Sequence, residues 1–159
     1  MEKLPEEPIL KSPEFRLAVA GDCLLMFRLQ HLHGKELNLS DLEKVAKYEK
    51  YKDEFDPSKI QVILYQGMAV GRLRIVREDS IYIGGFQILP EYRARGIGTA
   101  VLSELIAESK QTGMLITLEV FNDNIEAIKL YERMDFVVTG EDSKQKTMTF
   151  EPNPVLASL

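Results

Sequence analysis

Phe15-Arg16-Leu17-Ala18-Val19 alternates apolar with polar or small side chains, the period-two pattern of a strand with one covered face. Gly21-Asp22 breaks it. Asp22 is placed to cap a helix over residues 23–33, where Leu25, Leu29 and Leu32 recur near helical spacing and which Gly34 ends. Ser40-Asp41-Leu42-Glu43 has the capping-box arrangement and predicts a second helix to about Phe55, before Asp56-Pro57. Leu42, Val45, Tyr48 and Tyr51 are expected to face inward from it. Residues 60–65 read as a strand, Gln66-Gly67 as a tight turn and 68–76 as the returning strand. The apolar parity slips from Met68 and Val70 to Leu73 and Ile75, so a bulge is expected near Gly71.

Residues 81–89 form the next strand. Gly84-Gly85 in its interior predicts a bulge or the close approach of another chain or ligand, and ligand approach is the favoured expectation. Val101, Leu102, Leu105 and Ile106 make the apolar stripe of a helix over 97–110, and 114–121 is a buried strand. Asn122-Asp123-Asn124 supplies caps for a helix to about Met134. Strands at 136–139 and 147–150, joined by a charged loop at 140–146, complete the pattern. The order β-α-α-β-β-β-α-β-α-β-β predicts a mixed α/β sandwich around a twisted sheet, as one domain over 1–159 with a loose arm at 1–13 and a tail at 151–159. The strand-helix-strand portion, 81–120, is expected to be parallel and right-handed, so the helix at 97–110 begins at the carboxyl end of a central strand, where open α/β sheets bind ligands.

Composition narrows the function classes. Charged residues at 28% and apolar residues at 45% are ordinary for a globular domain. The net charge of −5, with no basic stripe, argues against a nucleic-acid partner and weakly favours a cationic acceptor such as an amine. The single cysteine, Cys23, excludes an internal disulfide, suits a reducing cytoplasm and, among Leu24, Leu25 and Met26, reads as a packing residue. No apolar run is long enough to span a bilayer, and the first residues lack a secretory pattern. His31 and His33 have no partner cluster, so no metal site is expected.

Candidate chemistry concentrates at Arg93-Ala94-Arg95-Gly96-Ile97-Gly98-Thr99, between a strand and a helix. Two glycines allow positive φ and close approach. The first helical amides lack intrahelical partners, and with the dipole they make a site for an anion such as a pyrophosphate. Arg93 and Arg95 add positive charge. Packing glycines in an ordinary turn would look the same.

Arg93-x-x-Gly96-x-Gly98 after Leu89-Pro90-Glu91-Tyr92, with Leu118-Glu119-Val120 and Asn124-x-x-Ala127-x-x-Leu130-Tyr131-x-x-x-Asp135-Phe136 downstream, resembles the two signatures of the GNAT acetyltransferase superfamily. The likeness is specific over about 81–140. Asp135 stands where the family usually has Gly, and Asp tolerates the left-handed conformation. The resemblance implies acetyl-CoA as cofactor, held by Arg93, Arg95, Gly96, Ile97, Gly98 and Thr99, with its pantetheine arm running as an added strand beside Gln87, Ile88 and Leu89. It implies a V-shaped parting of the two central strands, which exposes a backbone N–H near Gln87-Ile88-Leu89 for the developing oxyanion. Tyr131 matches the family tyrosine near the cofactor sulfur that protonates the departing thiolate, and Asn124 matches an asparagine of the cofactor region that also fits a simple N-cap. Glu119 resembles the base of the branch that acetylates protein N-termini, and equally suits a polar wall of the cleft. Tyr48, Tyr51 and Phe55 are candidates to wall the acceptor pocket, although aromatic residues at this spacing also suit a core.

The resulting expectation is an acetyl-CoA-dependent N-acetyltransferase acting directly on an amine of a small molecule or a peptide N-terminus. A silent acyl-CoA-binding module of the same fold is the alternative. The acceptor pocket is expected from the first half of the chain and, in a homodimer, from a second subunit.

Overall fold

The computed structural model describes residues 13–31 and 40–153. Its seven strands form one sheet in the order β1-β2-β3-β4-β5-β7-β6. They are β1 (Glu14–Leu17), β2 (Gln61–Tyr65), β3 (Met68–Arg77), β4 (Ile81–Ile88), β5 (Ile116–Phe121), β6 (Val137–Glu141) and β7 (Gln145–Phe150). The helices are α1 (Cys23–Gln30), α2 (Asp41–Glu54), α3 (Ile97–Thr112) and α4 (Ile125–Arg133). Elements follow one another as the sequence pattern predicts. Adjacent strands are antiparallel except β4 and β5, joined through α3, which are parallel.

Both sheet faces are covered. On one, Ile81, Ile116, Leu118 and Met148 pack with Val101 and Leu102 of α3 and with Ile128 and Tyr131 of α4. On the other, Met26 and Leu29 of α1 lie over Val62, and Tyr51 and Phe55 of α2 close that cluster. At eight residues α1 is too short to persist alone. Complete burial of Met26 and Leu29, at about 2 kcal/mol each, holds it to the sheet.

The punctuation follows the chemistry of particular residues. The capping box of α2 forms, Ser40 Oγ accepting the Glu43 N–H and Glu43 Oε2 accepting the Ser40 N–H, both at 3.3 Å. Gln66 and Gly67 both take positive φ (52° and 79°), the paired left-handed turn that matches strand twist. Val70 is the extra residue between the pairs Ile63–Gly71 and Leu64–Ala69, which places the expected bulge one residue before Gly71. Asp135 takes φ 69° just past α4, the conformation that permits it to replace glycine.

Three local expectations are corrected. Asp22 does not cap α1 with its side chain. Its carboxylate turns back, accepting the Val19 N–H at 2.8 Å and N–H groups from Nη1 and Nη2 of Arg16 at 2.7 and 2.9 Å. Leu42 and Val45 point outward, 84% and 58% exposed, while Tyr51 and Phe55 do the packing of α2. The charged loop at 140–146 shrinks to a tight turn, because the Asp142 carboxylate accepts the N–H groups of Lys144 and Gln145 and brings β6 and β7 together early. Leu32, His33 and Gly34, the expected end of the first helix, lie outside the described residues, as do most of the arm and tail.

Candidate active site

β4 and β5 pair only at Ile81–Ile116, Tyr82–Thr117 and Ile83–Leu118. Beyond that point each keeps its outer partner, β4 through Ile88 with β3 and β5 through Phe121 with β7, but they no longer pair with one another. The sheet is therefore parted along its one described parallel seam, as expected. The Leu89 N–H is committed to the Val70 carbonyl at 2.8 Å. Successive strand amides alternate in direction, so the neighbouring Ile88 N–H faces the gap. The Ile88 carbonyl is taken by Arg93 Nε at 3.1 Å, which ties the following turn to the strand end.

That turn runs through a short 3-10 helix, Pro90–Tyr92, and two left-handed residues, Ala94 (φ 60°) and Gly96 (φ 79°). Gly96 is the N-cap of α3 and has no side chain with which to cap it. The Ala100 N–H is the first to find a helical carbonyl, that of Gly96. The amides of Ile97, Gly98 and Thr99 are left as free donors at the positive end of a 16-residue helix. Arg95 stacks over the Tyr92 ring at 5.1 Å. Gly98 serves a different purpose from Gly96. A Cβ there would sit 3.2 Å from Leu130 Cδ2, so Gly98 lets α3 lie against α4.

α4 carries Tyr131 into the same face of the sheet. The side chain is 7% exposed, its ring packs tilted at 52° against Phe136, and burial pushes its hydroxyl up to about 12. Asn124 caps this helix, its side-chain oxygen accepting the Ala127 N–H at 3.4 Å, which leaves its amide NH₂ for other partners. Leu118 and Val120 are buried toward this face, and strand alternation turns Glu119 to the other. There the Tyr82 hydroxyl donates to Glu119 Oε2 at 3.4 Å, and burial, followed by the Glu119 charge, raises Tyr82 above its ordinary value. Tyr131 and Glu119 thus stand on opposite sides of the parted seam. The Gln87 side chain also points to the Glu119 side.

The Gly84-Gly85 pair has an explanation that the sequence does not reveal. The β3–β4 register passes from Arg74–Gly85 to Ile75–Ile83, so Gly84 is an extra, bulged residue. A Cβ on Gly84 would collide with the Arg74 guanidinium, and one on Gly85 with that of Arg72. The expected approach of a ligand is replaced by two arginines of the adjacent strand. Arg72 is only 6% exposed and donates from Nη1 to Gln87 Oε1 at 3.1 Å. Its Nε and the buried Tyr51 hydroxyl are each other's polar neighbours, and neither finds a further hydrogen-bond partner among the described residues. Burial lowers Arg72 from its ordinary value, and the neighbouring Arg74 adds to this. An arginine nevertheless stays charged in a protein. A charged residue at the middle of a strand covered on both faces was the overlooked signal.

A cavity of about 560 Å³ lined by Lys59, Gln61, Arg74 and Arg77, among others, lies toward the opposite end of the strands from the 93–99 turn. No described helix is long and apolar enough to cross a membrane.

By fold and site this is a mixed α/β sandwich parted at a parallel seam, with an uncapped helix N-terminus at the mouth of the parting. The chain belongs to the acetyltransferase (GNAT) family, whose model matches residues 27–136. Its structure is similar to an N-acetyltransferase from Staphylococcus aureus Mu50 (16% identity, 86% of this chain and 100% of that one, TM-score 0.69). It is also similar to the paia N-acetyltransferase of Thermoplasma acidophilum in complex with coenzyme A (17% identity, 88% and 99%, TM-score 0.67). A third likeness is to the ribosomal-protein-S18-alanine N-acetyltransferase of Escherichia coli (18% identity, 87% and 93%, TM-score 0.62).

Proposed function

We propose that this protein is an acetyl-CoA-dependent N-acetyltransferase that moves an acetyl group directly to the amine of a small molecule or a peptide N-terminus. The observation that carries the reading is the parted β4–β5 seam, with free amides at one end and Tyr131 and Glu119 on its two sides. Coenzyme A fits the residues present: its diphosphate needs several convergent donors, and Ile97, Gly98 and Thr99 offer amides that no side chain caps. Arg93 and Arg95 place charge beside them, Asn124 keeps a free amide group nearby, and the gap beside Gln87, Ile88 and Leu89, where the Ile88 N–H is unpaired, suits a pantetheine arm. When bound, the cofactor supplies an activated acetyl thioester.

The chain's own groups answer the three demands of the reaction. The Ile88 N–H, aimed into the gap, is a preorganised donor for a developing oxyanion. Tyr131 holds a proton that burial makes hard to lose, and a neutral acid is what a departing thiolate needs. Glu119 stands on the acceptor side and accepts the proton that an ammonium must shed before it attacks, directly or through water. The single cysteine, Cys23, is free and buried in α1, in keeping with direct transfer in a reducing, cytoplasmic setting.

Release of free coenzyme A thiol, measured against a panel of amines and peptides with mass detection of acetylated product, tests the proposal. Product carrying one added acetyl group is the expected result. Tight acetyl-CoA binding with no transfer to any amine would reduce the protein to an acyl-CoA-binding module.

A further inference from the structure

Arg72 is a cation with no counterion among the described residues. It is nearly enclosed, its charged neighbour is another arginine, and no carboxylate pairs with it among the described residues. Gln87 satisfies Nη1 only. Among the described residues the Nε edge has no carboxylate or carbonyl partner, and its polar neighbour is the Tyr51 hydroxyl. A buried charge in this condition is strongly unfavourable unless a further partner completes it. The bulge at Gly84 and the missing side chains at Gly84 and Gly85 keep room for both guanidiniums, so the arrangement is built into the backbone.

The same strand displays what that edge accepts. Five residues along β3, Arg77 presents Nε and Nη2 to Glu108 and holds both carboxylate oxygens, at 2.6 and 2.9 Å. Arg72 has the same Nε edge, with no carboxylate opposite it among the described residues. The fork geometry matches a planar carboxylate better than any neutral group.

We infer that Arg72, with Tyr51 and with Gln87 as its brace, receives a carboxylate of the acceptor, so that the substrate class is an amine bearing a carboxylate. The inference rests on the acetyl-transfer reading, because it assigns this face to the acceptor. Arg72 lies on the same side of the sheet as Glu119, and its guanidinium covers Gly85, three residues along β4 from Ile88. At about 3.3 Å per residue the two points are about 10 Å apart. That separation suits a short molecule or the first residue of a peptide. The carboxylate can belong to a free amino acid or to an acidic side chain at a peptide N-terminus, and Arg72 would hold either in the same way.

Matched acceptors that differ only in this group separate the sources. Free amino acids are compared with their amides, and peptides beginning with Glu or Asp with those beginning with Gln or Asn. The wild-type protein should favour the carboxylate member of one pair by at least about tenfold in kcat/KM, as expected for a charge-assisted bidentate pair. Arg72→Met should bring that ratio to within twofold, Arg72→Lys should keep part of it, and Tyr51→Phe should reduce it. Thermal unfolding adds a readout that a structural arginine would move oppositely. Replacing an unmatched buried charge by a methionine should leave Tm unchanged or raise it. Should Arg72→Met fail to fold, the lysine and Tyr51 variants still decide. Equal use of both members of every pair by the wild-type protein would overturn the inference.

Calorimetric titration of the same acceptors, with coenzyme A present, separates this inference from the transfer reading. Carboxylate-selective binding that Arg72→Met abolishes, without turnover, upholds the anion site while the transfer reading falls. Binding that ignores the carboxylate removes the anion site whether or not acetyl transfer occurs.

Discussion

In the proposed reaction a phenol and a carboxylate, on opposite sides of one opened seam, divide the proton work between them, and each makes a separate prediction. Burial pushes Tyr131 up to about 12, so its proton is lost only as pH rises through that value. Tyr131 therefore remains a competent acid over the whole ordinary range and sets no alkaline limb of its own. Tyr131→Phe should lower kcat on the order of 10²-fold where chemistry limits the rate, the usual contribution of a positioned acid. Acetyl-CoA affinity should stay within about threefold, since a hydroxyl alone is removed from a packed ring. Unchanged single-turnover rates would remove Tyr131 from the chemistry. Glu119 lies on the proposed acceptor side, and Glu119→Gln should lower kcat/KM on the order of 10²-fold while leaving the fold intact, because its one described side-chain hydrogen bond is a long 3.4 Å bond from Tyr82. A full-activity variant would leave Glu119 as a wall of the cleft.

The turn before α3 joins two glycines whose roles are distinct, and substitution separates them. Gly96 has open space around its missing Cβ but φ 79°, so Gly96→Ala strains the backbone by about 1–2 kcal/mol without a clash. It should weaken acetyl-CoA binding by disturbing the amides behind it, with a modest loss of Tm. Gly98→Val drives its side chain into Leu130 and should unfold the α3–α4 contact first, so its Tm should fall further than that of Gly96→Ala. Calorimetry and thermal melts on the two variants check this ordering, and equal losses would mean one shared role. These elements were legible in the sequence for physical reasons. Capping residues, glycines past helix ends and two hydrophobic periods are local signals, and they placed every strand and helix in order. What failed to show locally depended on partners far along the chain. Asp22 could cap forward or turn back, and Arg16 settles it. Leu42 and Val45 are apolar yet outward, because the packing of α2 is set by Tyr51 and Phe55 against the sheet. Gly84-Gly85 takes its meaning from a register that sets Arg72 and Arg74 opposite, and nothing local in the sequence marks Arg72 as buried.

Across the whole molecule, two halves of a sheet meet at three residue pairs and then separate. α3 spans the seam, bound to β3 by the Arg77–Glu108 pair and to the strands beneath by its buried stripe. A ligand lying in the parting would complete the missing ladder and couple the halves. Its binding should therefore stabilise the fold in proportion to occupancy, by about 2.7 kcal/mol at a hundredfold excess over Kd. Location distinguishes such a ligand from one that merely rests on the surface. Amide hydrogen exchange on addition of coenzyme A should slow at Ile88, whose N–H faces the gap, and at Ile97, Gly98 and Thr99, whose donors no side chain caps. Leu89 is the internal control, because its N–H already belongs to Val70. A rise in Tm with exchange unaltered at Ile88 but slowed at the α3 amides would place the diphosphate alone on the protein, with the arm outside the seam. Exchange unaltered at both would deny that the parting is the binding site, and with it the route by which an acetyl group could pass from the Tyr131 side of the sheet to an amine beside Glu119.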